Sequence, residues 1–112
     1  MIHTGLTPER WYKFSILEQM ANIGADVDRA IRWRNKSDSE NSQSAIYRAL
    51  ELLDLTISDP KNKSGRLKEL ARLRELLKDY FLGDNQYKAL DDAFLYNYFI
   101  DFSYAAALER GR

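Results

Sequence analysis

The amino-acid sequence predicts an all-α protein, folded as an antiparallel up-and-down four-helix bundle. Four segments repeat apolar residues at spacings of three and four, the pattern of a helix with one buried face. The connections between them are short, and the chain shows neither strand-like alternation nor an internal repeat. Helices joined by short connections pack as neighbours. We therefore predict one domain over residues 1–112, with helices at about 8–35, 40–58, 64–82 and 88–110.

The first helix is predicted to begin at Thr7. Its hydroxyl can cap the helix, Pro8 occupies a position where no N–H is needed, and Glu9 meets the positive end of the helix dipole. The buried face of this helix is predicted to contain Ile16, Met20, Ile23, Val27 and Ile31. The polar segment 35–42 ends the helix and contains the start of the second one.

The other helix boundaries follow from Pro, Gly and Ser positions. Pro60 ends the second helix, because a residue before proline avoids the helical conformation. Ser64 is the predicted cap of the third helix, Gly83 its stop, and Gly111 ends the fourth helix.

Composition excludes several classes of site and suggests a location. Seventeen Lys and Arg balance seventeen Asp and Glu, so the chain has no net charge that would attract nucleic acid or acidic lipid over its whole surface. It contains no cysteine, which excludes disulfides, thiolate zinc sites, iron–sulfur clusters and a cysteine nucleophile. The most apolar run, 93–108, is interrupted by polar residues and is too short to cross a bilayer. We expect a cytoplasmic protein with no membrane partner.

The residues required by common enzyme sites are missing from the sequence. The single histidine, His3, lies before the first predicted helix, and no Glu-x-x-His pair of a di-metal bundle occurs. All five glycines are isolated, so there is no phosphate-binding or dinucleotide-binding loop. We expect no catalytic residue, no metal and no cofactor, and interpret the chain as a protein that is not an enzyme.

The fourth helix is apolar on nearly every side, which predicts a second buried surface. A helix of a four-helix monomer buries about half of its surface, so the excess is predicted to contact another subunit or another protein. The candidate interface residues are Trp11, Trp33, Tyr96, Ile100 and Tyr104. The alternative interpretation is a dense aromatic core with tyrosine hydroxyls at its rim.

Two basic segments form a candidate nucleic-acid patch, because cations beside an aromatic ring can bind phosphate and stack a base. Its residues are Arg29, Arg32, Arg34 and Lys36 at the end of the first helix and Lys61, Lys63 and Arg66 near the start of the third. The alternative is that cations at the end of the first helix only stabilise the helix dipole.

Two charged residues fall within apolar helix faces. Arg74 lies among leucines of the third helix and Asp101 among apolar residues of the fourth. A buried charge needs a partner, so we predict an ion pair between Arg74 and Asp101. The alternative is that both lie at the edge of the core and reach water.

Four features together resemble a group of small bacterial four-helix-bundle proteins. They are the run Glu18-Gln19-Met20-Ala21-Asn22-Ile23-Gly24, the run Arg48-Ala49-Leu50-Glu51-Leu52-Leu53-Asp54, the Gly83-Asp84-Asn85 turn and the aromatic last helix. This group is distantly similar to the proteins encoded in 23S rRNA intervening sequences and to the accessory proteins of diversity-generating retroelements. The resemblance implies a ring-forming bundle, commonly pentameric, with nucleic-acid or reverse-transcriptase partners.

From these observations we predict a non-catalytic homo-oligomeric interaction or scaffold protein. The alternative is a nucleic-acid-binding accessory protein that uses the basic patch.

Overall fold

The computed structural model describes residues 6–63 and 65–111, and in these ranges the chain is helical without any strand. Its helices are α1 (Pro8–Tyr12), α2 (Ile16–Asn35), α3 (Ser39–Ser58), α4 (Leu67–Leu82) and α5 (Asp92–Arg110), with a 3₁₀ turn at Pro60–Asn62. Four of these helices are long and pack against one another, which confirms the predicted all-α class. His3 and Ser64, which the sequence interpretation used, lie outside the described residues.

Helix α2 lies between α3 and α5 and packs along both, whereas α4 packs against α3. Helix α5 runs antiparallel to α2: the Ser15 hydroxyl before α2 donates to the Glu109 carboxylate at the end of α5 (2.6 Å). At the other end, Arg34 Nη2 donates to Asp92 Oδ1 (2.6 Å). Side chains also link α4 to α5, since the Tyr98 hydroxyl donates to Glu69 Oε2 at 2.7 Å.

The prediction of one continuous helix over 8–35 is wrong, because the chain breaks at 13–15. Ser15 adopts an extended conformation and its hydroxyl accepts the Glu18 N–H at 3.2 Å, so α2 has its own N-terminal cap. The predicted cap at Thr7 is confirmed, with its hydroxyl accepting the Arg10 N–H at 3.2 Å. The break lets the short α1 turn across the end of the α2–α3 pair, which brings Trp11 into the core.

The third and fourth predicted helices begin later than expected. Gly65 has a left-handed backbone (φ 97°), which only glycine adopts readily, and α4 therefore begins after it at Leu67. Lys88 is also left-handed (φ 49°), so α5 cannot begin there. It begins after Asp91, whose carboxylate accepts the Phe94 N–H at 2.7 Å.

The core lies between α2, α3, α4 and α5, with Trp11 of α1 at one end. Its fully buried large side chains come from all four long helices: Met20, Ile23, Val27, Ile46, Leu53, Leu70, Leu77 and Leu95. Most of the predicted apolar faces of the helices are thus directed into this core.

Candidate interaction surface

A groove of about 190 Å³ separates α2 from α5 on the surface. Small residues on α2, Ala21, Gly24 and Ala25, form part of one wall. At the base of the groove the helices approach so closely that a Cβ built on Gly24 would lie 2.7 Å from the Phe99 Cβ and 2.9 Å from its ring. Glycine at this position therefore sets the distance between α2 and α5.

The side of α5 that faces away from the core carries exposed residues without charge. Tyr96 is 56% exposed, Ile100 41% and Tyr104 69%. We call the outer face of α5 the seven positions that lie within about 60° of Ile100 around the helix, all of them exposed: Ala93, Tyr96, Asn97, Ile100, Ser103, Tyr104 and Ala107. Two more exposed apolar residues of α5, Phe94 (50%) and Leu108 (52%), lie outside this face. Tyr96, Ile100 and Ser103 also line the groove, so the outer face and the groove form one continuous surface.

Three of the five predicted interface residues, Tyr96, Ile100 and Tyr104, therefore lie on one surface. Trp33 is exposed too, but it follows Gly24 by nine residues, which at about 100° per residue places it on the opposite side of α2. Its ring lies under the Lys36 ammonium, 5.4 Å from the ring centroid.

The assignment of Trp11 to the interface is wrong. The side chain is 3% exposed, and its indole Nε1–H donates to the Thr56 hydroxyl of α3 at 3.0 Å. The break before α2 turns this residue inward. Our prediction assumed one continuous helix, in which Trp11 lies off the buried face.

The basic residues at the end of α2 lie beside acidic side chains. Arg29 is hydrogen-bonded to the buried carboxylate of Asp26. Arg32 Nε lies 3.1 Å from Asp28 Oδ2, four residues earlier on the same helix. These guanidinium groups already have anionic partners within the chain.

Arg34 contacts several side chains of α4 and α5. Besides Asp92, its guanidinium donates to the Tyr80 hydroxyl at 3.1 Å and stacks over the Tyr80 and Phe81 rings at 4.6 and 4.8 Å. The Tyr80 hydroxyl in turn donates to Asp92 Oδ1 at 2.8 Å. Burial, followed by this bond to Asp92, raises the pKa of Tyr80 above its ordinary value. The cluster of Arg34, Tyr80, Phe81 and Asp92 thus links the start of α5 to the ends of α2 and α4.

The second basic segment is also partly neutralised. The Lys61 ammonium is hydrogen-bonded to Asp59 and donates to the Tyr12 carbonyl at 3.1 Å. Arg66 Nη1 lies 3.8 Å from Glu69 Oε1. Lys63 is exposed.

The predicted ion pair between Arg74 and Asp101 does not form. Arg74 is directed toward α3, where its Nε donates to Asp54 Oδ1 at 2.5 Å. This bond raises the pKa of Arg74 above its ordinary value. Asp101 is exposed on α5. Both side chains reach solvent, as the alternative of two residues at the edge of the core expects.

Sequence reasoning missed a buried polar cluster where α1, α2, α3 and the 3₁₀ turn meet. Gln19, Thr56, Asp59 and Asn62 are all buried there. The Gln19 amide donates to Asp59 Oδ2 at 2.9 Å and to the Trp11 carbonyl at 3.1 Å. The Asn62 amide donates to Gln19 Oε1 at 2.9 Å and to the Thr56 carbonyl at 3.0 Å. Each polar group thus has a partner inside the cluster, as buried polar groups require.

Asp59 is the charged member of this cluster. Burial disfavours its ionised form, but hydrogen bonds from Lys61 and Gln19 outweigh that effect and hold the pKa of the carboxyl below its ordinary value. The sequence contained one signal for it, the Asp-Pro pair, which we interpreted only as the end of a helix. The cluster joins segments far apart in the chain, and we assign it a role in stability.

No group of three or more histidine, aspartate or glutamate side chains within residues 6–63 and 65–111 is placed to hold a metal ion. None of the helices in the described part of the chain combines the length and hydrophobicity of a bilayer-spanning segment. Comparisons with protein-family models, with curated proteins and with solved structures gave no match.

Proposed function

We propose that this protein is a non-catalytic scaffold that forms homo-oligomers through the outer face of α5. The observation that supports the proposal is the exposure of Tyr96, Ile100 and Tyr104 on one uncharged surface beside the α2–α5 groove. The proposal includes the up-and-down order of the four long helices and a location in the bacterial cytoplasm, where a chain without cysteine needs no oxidising environment.

The size of this surface is consistent with a concentration-dependent assembly. With about 200 Å² for each large side chain, the exposed fractions of the three residues correspond to roughly 300 Å². The largest apolar patch of a typical monomer is about 300–600 Å² and is often functional. A standard interface needs about 800 Å² from each partner, so these residues would form its apolar centre. The remaining outer-face positions and the groove would supply the rim.

The chemistry of the outer face favours another copy of this chain over nucleic acid. Phosphate backbones are bound by Lys and Arg, and the seven outer-face positions carry neither. An uncharged surface with two tyrosines suits an apolar partner surface with polar edges.

The proposal is tested by light scattering at ~5 to 200 μM chain, because assembly responds to concentration by mass action. We expect masses above the monomer value of 13.1 kDa that increase with concentration. Ile100→Glu, which places a charge at the centre of the outer face, should return the chain to monomer. Tyr47→Glu is the matched control, since Tyr47 is a similarly exposed apolar residue (49%) on α3 and should leave assembly unchanged.

A monomer at every concentration would overturn the proposal, as would equal effects of Ile100→Glu and Tyr47→Glu. Far-ultraviolet circular dichroism of both variants separates loss of assembly from loss of folding.

The alternative, a nucleic-acid-binding accessory protein, would require several cations to exchange their carboxylate partners for phosphates. Arg29, Arg32 and Arg34 each already contact an aspartate. A salt-sensitive mobility shift with single-stranded DNA or RNA, weakened by Arg32→Ala together with Arg34→Ala, would favour this function over the scaffold. The absence of a shift at low salt would exclude it.

A further inference from the structure

The residues of the outer face of α5 are arranged nearly symmetrically in sequence about Ile100. Around Ile100, the residues three positions away are Asn97 and Ser103, those four positions away are Tyr96 and Tyr104, and those seven positions away are Ala93 and Ala107. The first pair is polar and uncharged on both sides, and the other two pairs are identical. All seven positions are exposed.

Such a sequence suits a twofold axis that passes between the Ile100 residues of two copies. When two copies of one helix cross antiparallel about that axis, each residue faces the position at the same distance on the other side of Ile100. Tyr96 of one copy would therefore lie opposite Tyr104 of the other, and small residues opposite small residues. The spacing of three and four residues is also that of helices that pack side by side.

The charges on α5 are compatible with this pairing. Asp101 follows Ile100 by one residue, so it lies about 100° around the helix from Ile100, at the side of the contact between the two copies. The Asp101 carboxylates of the two copies are then not pressed against each other. The face therefore meets the apolar and the electrostatic requirements of contact with itself.

We infer that the chain forms a homodimer in which the α5 helices of two copies pack antiparallel about a twofold axis at Ile100. This inference rests on the proposed self-association and specifies its geometry. It differs from a ring, in which each copy presents two different surfaces to its neighbours.

The test uses the absence of cysteine, which makes every introduced thiol unique. At the crossing point of helices about 10 Å apart, with Cα atoms about 2.3 Å from each axis, the two Ile100 Cα atoms would lie about 5 Å apart. That distance is within the range of a disulfide. Under mild oxidation, Ile100→Cys should therefore form a covalent dimer on a non-reducing gel, whereas the exposed control Tyr47→Cys should remain monomeric.

A second pair of variants tests the register. Two copies of residue 96, or of residue 104, would lie about 12 Å apart along the helices, too far for a disulfide. Tyr96→Cys alone and Tyr104→Cys alone should therefore not cross-link, whereas their mixture should. Light scattering under reducing conditions establishes that each variant still associates.

The outcomes separate the two proposals. A wild-type oligomer in which Ile100→Cys cross-links no better than Tyr47→Cys, or in which Tyr96→Cys pairs with itself, overturns the twofold geometry and leaves self-association standing. A wild-type chain that is monomeric at all concentrations overturns both.

Discussion

The contact between Gly24 and Phe99 makes a sharp prediction for the substitution Gly24→Ala. The added Cβ would lie 2.7 Å from the Phe99 Cβ, which is fixed to the backbone of α5 and cannot rotate away. The helices must therefore move apart, and overpacking of this kind costs about 1–3 kcal/mol. Alanine in a helix interior gains about 1 kcal/mol over glycine. We expect a net loss of about 1 kcal/mol, measured by urea denaturation followed by circular dichroism.

The control for this experiment is Ala25→Gly at the adjacent, exposed position of α2. It should cost about 1 kcal/mol through helix propensity alone, which calibrates that contribution in the same helix. If Gly24→Ala instead raised the free energy of unfolding by about the same amount, the close approach of α2 and α5 would be refuted. In a thermal melt the expected loss corresponds to a decrease of about 5 °C in Tm for a chain of this size.

Three further predictions concern stability. The pKa of Asp59 is held below its ordinary value of 3.8, so its contribution to the free energy of unfolding is complete above about pH 4 and is lost as the pH falls through the lower folded-state pKa. In urea titrations between about pH 5 and pH 2, the free energy of unfolding should therefore decline less steeply for Asp59→Asn than for the wild type. Parallel curves would contradict this. Trp11→Phe removes the donor to Thr56 and should cost about 1 kcal/mol in the same assay, so an unchanged midpoint would argue against that bond. Asp101→Asn should change stability by less than about 0.5 kcal/mol, whereas Asp54→Asn, which weakens the bond to Arg74, should cost up to about 1 kcal/mol. A larger loss for Asp101→Asn would contradict that assignment.

The long helices could be predicted because their information is local. Apolar spacing, Pro60 and Gly83 specify where α3 and α4 end to within a residue. The break before α2 could not be predicted in the same way. Ser15 caps α2, but serine also occurs inside helices. Beyond this cap, α1 is bonded to distant residues, with Trp11 donating to Thr56 and Lys61 donating to the Tyr12 carbonyl. These contacts depend on tertiary structure.

The candidate site shows the same division between local and long-range information. The spacing of Tyr96, Ile100 and Tyr104 places them on one helix face, and all three are exposed. Their role as an interface stays a prediction. The ion pairs of the basic residues could be predicted only within one helix, as for Arg32 and Asp28 at four-residue spacing. The partner of Arg34 on α5 depends on how the helices pack, which periodicity does not determine.

The place of α2 between α3 and α5 has a consequence for the way the molecule opens. Helix α4 packs on α3 and reaches α2 and α5 through side chains. Its separation would break the bonds of Tyr80 to Arg34 and of Glu69 to Tyr98 but would leave the packing of α2 against α3 and α5 in place. Regions with few buried contacts open at lower free energy than the global unfolding transition. Amide hydrogens of α4 should therefore exchange with solvent sooner than those in the middle of α2. A partner that binds the opened molecule would meet the leucine-lined side of α4, a surface hidden in the closed form.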